Sequence, residues 1–168
     1  MTHIMLDLET MSLASNAAII TIGAVEFDER SIGTTFYERI HPDSAMAEGL
    51  DVDPETMAWW ERQDHKIRAE AFGGEKTLRQ VLLEFTAWLP DDAIVWGNGA
   101  AADNVWLANA YAAADLPKPW YYCNDRCYRT MLGMFPVKRV KSKKAHHALH
   151  DAKAQAKTLI NLCREYEI

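Results

Sequence analysis

Apolar residues in this chain fall into short runs near the N-terminus and into helical stripes further on. Residues 4–8 and 19–27 are short runs rich in Ile, Val, Leu and Met, separated by a stretch containing Ser and Asn, and both predict strands. The first strand and its exit are read over 1–10, followed by a small-residue turn over 11–18. Residues 34–40 alternate well enough for a third strand, and the tight connection around 28–33 makes the three an antiparallel meander. His41-Pro42 ends the third strand. A helical stretch then starts with Asp53 as N-cap and Pro54 at its first position, carries Met57, Trp59 and Trp60, and is broken by Gly73-Gly74. In residues 77–89, Leu78, Val81, Leu82, Phe85 and Leu89 share one stripe, which predicts an amphipathic helix stopped by Pro90. Residues 93–96 predict a short strand, 97–99 a Gly-Asn-Gly loop and 104–114 a helix. Residues 120–124 are read as a fifth strand, 126–132 as a helix, 135–145 as a basic loop, and 147–165 as a last helix with Leu149, Ala152, Ala156, Leu159 and Leu162 at core spacing.

That order predicts one α/β domain over 1–168. Its sheet is mixed and five-stranded, with three antiparallel strands and two more added in parallel through helices. No internal repeat, low-complexity tract or linker interrupts it. Hydrophobic content of 49% with 25% charged residues is that of a globular protein. No apolar run approaches the roughly 20 residues that span a bilayer, so no membrane partner is expected. The N-terminus lacks a basic region, apolar segment and cleavage site in series, and the expected location is the cytoplasm. The three cysteines fit reduced thiols there, and Cys123 and Cys127 have no second pair with which to hold zinc. The net charge of −6 argues against coating nucleic acid through bulk charge. A local exception is the cluster Lys138, Arg139, Lys141, Lys143 and Lys144. The sequence leaves oligomeric state open, a homodimer included.

Candidate chemistry starts at Asp7 and Glu9. In a strand they project from one face, where they repel each other and are costly to desolvate. A divalent cation relieves both costs, and hard oxygen ligands suit Mg²⁺ or Mn²⁺. Asp103, just past the glycine loop, is either a helix N-cap or an acid on the same sheet edge as Asp7 and Glu9. Asp151 lies in His146-His147-Ala148-Leu149-His150-Asp151-Ala152, either as a first-turn charge that suits the helix dipole or as a site residue.

Taken together, Asp-x-Glu-Thr, the Asp after Gly-Asn-Gly, and His-x-Ala-Leu-x-Asp-Ala resemble the motifs of the DEDD exonucleases, in the DnaQ-like branch whose last motif carries a histidine. Met57 to Trp60 after Thr56, and Trp96-Gly97-Asn98-Gly99 with Asp103, are similar to the small stand-alone phage and prophage exonucleases of the phage T4 exonuclease A type. The resemblance implies an RNase H-like fold and 3′-5′ hydrolysis of nucleic acid, with single-stranded DNA favoured. It implies Asp7, Glu9, Asp103 and Asp151 as ligands of two Mg²⁺ ions, which Mn²⁺ can replace, and His146 as general base. Spacing alone takes His147, which shares a helix face with Asp151; the family pattern places its histidine five residues before the aspartate. The resemblance also directs the Thr10–Met11 backbone and Asn98 toward the terminal nucleotide, with Met11 or Leu13 as a wedge beside the last base. Lys141 and Lys143 are expected on phosphates of the incoming strand. Trp59 and Trp60 serve either the core or base stacking. The alternatives are an exoribonuclease on the same site, a non-catalytic nucleic-acid-binding module, and a small-molecule phosphatase.

Overall fold

The computed structural model describes residues 1–167. Strands β1 (Thr2–Thr10), β2 (Ile19–Phe27) and β3 (Ile32–Arg39) form the antiparallel meander. Four helices follow: α1 (Pro42–Ala47), α2 (Pro54–Glu61), α3 (His65–Phe72) and α4 (Leu78–Trp88). Then come β4 (Ala93–Gly97), α5 (Asp103–Ala113), β5 (Asp125–Cys127), α6 (Tyr128–Met134) and α7 (Ala148–Tyr166). The sheet order is β3-β2-β1-β4-β5, with β4 parallel to β1 and β5 parallel to β4. This is the mixed five-stranded α/β sheet expected from the sequence.

Period-two alternation sorts β1 into two faces. Ile4, Leu6 and Leu8 enter the larger core with Phe85, Leu107 and Tyr111. Met5 turns the other way, into a second core with Val25, Ala152, Ala156 and Leu159. Asp7 and Glu9 share that second face, the one α7 covers. α7 stays close because of Gly23, the cross-strand partner of Asp7. A Cβ there would lie 2.3 Å from the carbonyl carbon of Ala148 and the nitrogen of Leu149. The first turn of α7 therefore rests directly on the sheet backbone.

Local signals explain most of the helix starts. The Asp53 carboxylate accepts from the Thr56 N–H at 2.8 Å, with Pro54 opening α2. Thr77 and Gln80 form a reciprocal capping box on α4.

Three readings need correction. The helical stretch after Asp53 splits in two at Arg62–Asp64, because the Asp64 carboxylate caps a new helix by accepting from the Lys66 N–H. Residues 42–47 also form a helix, capped by the His41 ring. The fifth strand is Asp125–Cys127 and not 120–124. Trp120 is drawn into the core edge-on to Tyr111, and its Nε1–H donates to Asp125 at 2.7 Å. Tyr121 and Tyr122 are left 73% and 83% exposed at a single 3-10 turn. Aromatic composition mimicked a strand where only one ring is buried. No described helix is long and apolar enough to cross a membrane.

Candidate active site

β1, the loop after β4, and the start of α7 meet at one edge of the sheet. Asp7, Glu9 and Asp151 each present a carboxylate oxygen there, all within 4.8 Å of one another. They lie in a cleft of about 690 Å³ that is also lined by Asn98, Arg129, Arg139 and His146. Glu9 is only 8% exposed. Burial first, then the charges of Asp151 and Asp103, push its carboxyl up to about 8. Burial holds Asp7 well above the usual carboxylate range, reinforced by Asp103, Glu9 and Asp151 and opposed by a hydrogen bond from Gln155. That bond, Gln155 Nε2–H to Asp7 Oδ1 at 2.7 Å, comes from one turn beyond Asp151 on α7. Three crowded carboxylates in a polar cleft, two of them with raised pKa values, fit a small divalent cation. The donors are all hard oxygens, and a cation would offset the burial and repulsion that hold protons on Asp7 and Glu9.

Asp103 stands behind this group. It is the first residue of α5 and caps nothing; the residue ahead of the helix is Ala102. Instead Oδ1 accepts from the Leu8 N–H at 3.0 Å and Oδ2 from the Asn98 N–H at 2.7 Å. It is 3% exposed, and burial raises its pKa against those two bonds. It ties β1 to the end of β4 and adds its charge to the site without joining the group of three. Gly97 lets the start of α5 close on the end of β4, since a Cβ there would meet Asn104 Oδ1 at 2.3 Å and the Asp103 Cβ at 3.3 Å.

Of the three clustered histidines, His146 lines the acidic cleft. It sits just ahead of α7 with φ +59°, a left-handed conformation uncommon outside glycine, and its ring packs edge-on to Trp59 at 4.9 Å. His147 points elsewhere. It stacks on Tyr37 at 4.5 Å, with Nε2 3.9 Å from Glu70. His150 packs edge-on to His147. Helical spacing from Asp151 points to His147 because the sequence pattern starts the helix at that residue, whereas it is the residue just ahead of α7.

The substrate-facing expectations divide. Asn98 lines the cleft, and its Oδ1 accepts from Arg129 Nε–H at 3.2 Å. Thr10 lines an adjoining pocket of about 480 Å³ with Glu9, Leu13, Trp59, Trp60 and Trp106. Met11 does not serve as a wedge, because it is 2% exposed and packed in the core. Its N–H donates to Ala18 and its carbonyl accepts from Asp53, while the Thr10 carbonyl accepts from Trp60 Nε1–H. Leu13 is 75% exposed and lines the pocket beside Thr10. Trp60 is core, and Trp59 belongs to both the pocket and the contact with His146. Lys141 and Lys143 face away from the acidic cleft into a separate depression. The cations that do face the cleft are Arg129 and Arg139. Neither Arg129 nor Gln155 was singled out in the sequence. Gln155 was findable, lying four residues after Asp151 on the same helix face. Arg129 was not, since its position depends on the misread β5.

Residues 2–163 match the family model described as the 3′-5′ exoribonuclease Rv2179c-like domain. No curated protein sequence matches the chain. Among solved structures the chain is similar to E. coli exonuclease I in complex with a dT13 oligonucleotide, at 13% identity and TM-score 0.70, covering 99% of this chain and 42% of that one. It is similar to the nuclease domain of 3′hExo, a DEDDh family member, bound to rAMP, at 15% identity and TM-score 0.64, covering 98% and 92%. A third likeness is to a 3′-exonuclease described in 3′-end specific recognition of a histone mRNA stem-loop, at 13% identity and TM-score 0.67, covering 98% and 82%. The chain spans about two fifths of the exonuclease I chains it matches. At these identities the likeness is one of fold, that of the DnaQ-like, RNase H-like nucleases.

Proposed function

The chain belongs to the Rv2179c-like family of 3′-5′ exoribonuclease domains, a family of hydrolases, and from that footing we propose that it removes nucleotides one at a time from the 3′ end of single-stranded RNA, as one exonuclease domain acting in the cytoplasm. The observation that carries this reading is the convergence of Asp7, Glu9 and Asp151 within 4.8 Å, with His146 on the same cleft.

Asp7, Glu9 and Asp151 would hold Mg²⁺, or Mn²⁺ in its place, with Asp103 contributing through water. Divalent ions in such a site polarise the phosphate and stabilise the charge that develops on the attacking and leaving oxygens. The protein's own groups do the rest. Gln155 donates to Asp7, which favours its ionised form and holds it in one orientation. His146 takes the proton from the water that attacks the terminal phosphorus, as a general base. The P–O3′ bond to the penultimate nucleotide breaks, and a nucleoside 5′-monophosphate leaves. The edge-on Trp59 ring and the left-handed turn hold the His146 imidazole over the cleft. Arg129 and Arg139 offset phosphate charge. The pocket between Leu13, Trp59 and Trp106 receives the terminal base by apolar contact, and Asn98 and Thr10 border the same nucleotide.

A second reading, single-stranded DNA as substrate, is favoured by the sequence resemblance to small stand-alone phage exonucleases and by the oligonucleotide complexes of exonuclease I. Matched 5′-labelled RNA and DNA strands, incubated with Mg²⁺, Mn²⁺ or EDTA, test both. A metal-dependent ladder shortening from the 3′ end, absent in Asp7→Ala, is expected, and the faster substrate decides between RNA and DNA. Failure to shorten either polymer with metal bound sinks the exonuclease reading and leaves a binding module or a small-molecule phosphatase.

A further inference from the structure

We propose that the outer side of α7 carries a second binding groove, which takes the sugar–phosphate backbone of the substrate strand upstream of the end being cleaved. The proposal rests on the nuclease reading and extends it to a site the acidic cleft does not include.

A depression of about 350 Å³ lies between the 135–145 loop and α7. Lys141 and Lys143 reach it from the loop, and His150, Lys153 and Lys157 from the helix. Its apolar floor includes Val140 and Ala154, which also line the acidic cleft, so a single shared wall divides the two. No carboxylate lines the groove. Among the described residues none of its four lysines pairs with an acid, although the chain as a whole carries a net charge of −6.

This arrangement runs against what the helix itself favours. Lys153 and Lys157 are like charges at i and i+4, which repel on a helix surface. Two loop lysines opposite add to the repulsion. A bound polyanion relieves both costs at once. Beyond the His150 imidazole no aromatic ring lines the groove, so it suits phosphates and not stacked bases. A strand whose last phosphate lies by Arg129 and Arg139 reaches the lysines by crossing the Val140–Ala154 wall. The groove then supplies affinity that grows with substrate length while the acidic cleft supplies the chemistry.

The test compares the native chain with Lys153→Ala/Lys157→Ala. Binding of a 5′-fluorescein 20-nucleotide RNA is followed by anisotropy in EDTA across a salt series. Hydrolysis in Mg²⁺ is followed on the same RNA and on the p-nitrophenyl ester of thymidine 5′-monophosphate, which has no upstream phosphate. The double variant is expected to bind the 20-mer at least tenfold more weakly. Its log K against log salt is expected to be shallower by about 1.4, the loss of two phosphate contacts on a single strand. Its rate on the small ester is expected to match the native rate. Unchanged 20-mer affinity and salt slope overturn the groove, and so does an equal loss on ester and 20-mer, which places the lysines' effect in the catalytic cleft. If the native chain hydrolyses neither substrate, the nuclease reading fails, while the metal-free binding series still decides whether the groove holds a polyanion.

Discussion

Substituting Glu9 by glutamine should make the metal-free protein more stable at alkaline pH while removing much of its response to metal. The Glu9 carboxyl has an ordinary pKa of 4.5 and is pushed up to about 8 in the fold, by burial and by Asp151 and Asp103. Between those values the native state keeps a proton that the unfolded chain has released. The unfolded state then binds fewer protons, so stability falls as pH rises through this window and is fully present only below about pH 4.5. Each pKa unit is worth 1.36 kcal/mol. The window of about 3.5 units therefore costs on the order of 5 kcal/mol at most, or roughly 10–20 °C in Tm for a domain of this size. Glutamine keeps the shape and removes the titration. Far-UV circular dichroism melts in EDTA at pH 5, 7 and 8.5 should show the native Tm falling with pH and the Glu9→Gln Tm falling less, the residual slope coming from Asp7. Adding Mg²⁺ at pH 8.5 should restore the native Tm and raise that of the variant by a smaller amount. A native Tm that stays flat from pH 5 to 8.5, or a variant less stable than the native chain at pH 8.5 in EDTA, would refute the argument that the site stores carboxylate repulsion for a cation to relieve.

The same geometry makes three further expectations. Gly23→Ala forces the first turn of α7 off the sheet, since its Cβ would lie 2.3 Å from backbone; a loss of at least about 1–3 kcal/mol in chemical denaturation is expected, with a fall in kcat on the order of 10²-fold as Asp151 moves from Asp7. Gln155→Leu removes the hydrogen bond that favours ionised Asp7, and calorimetry at pH 7 should show Mn²⁺ affinity reduced about 10–100-fold, whereas unchanged affinity would mean that Asp7 is oriented without it. His146→Ala should lower kcat by about 10²–10⁴ with Mn²⁺ affinity intact, and an equal loss in His147→Ala with His146→Ala active would exchange their proposed roles.

The sheet and the two carboxylates of β1 were legible because they follow from local rules. Short apolar runs and period-two alternation place Asp7 and Glu9 on one face whatever surrounds them, and Asp53 and Thr77 announce their helices through their own side chains. Features that depend on distant partners were not legible. The run at 120–124 has the composition of a strand, yet its fate is decided by Tyr111 and Asp125, which bury Trp120 alone. Met11 and Leu13 were equal candidates for a wedge beside the last base, but the turn over 11–18 folds Met11 inward and leaves Leu13 outside. The basic loop announces positive charge and nothing about direction: Lys141 and Lys143 line a depression along α7, while Arg139 of the same loop joins Arg129 at the acidic cleft.

Bringing Asp151 to Asp7 is the step that local sequence signals could not supply, and the structure accounts for it through one absent side chain. Asp7 and Asp151 are far apart in the chain, and nothing in either segment encodes their meeting. In the sheet Asp7 pairs with Gly23, and the missing Cβ of Gly23 is the space in which Ala148 and Leu149 rest. Setting the start of α7 at that height puts Asp151 one turn on beside Asp7, puts Gln155 a turn further within 2.7 Å of it, and leaves His146, just before the helix, at the cleft in a left-handed turn. Glu9 reaches the same group through β1's own alternation. The acidic site is thus assembled by two independent devices, a strand period and a helix contact. The pH and metal response of the Glu9 variant tests the first, and the Gly23 variant tests the second.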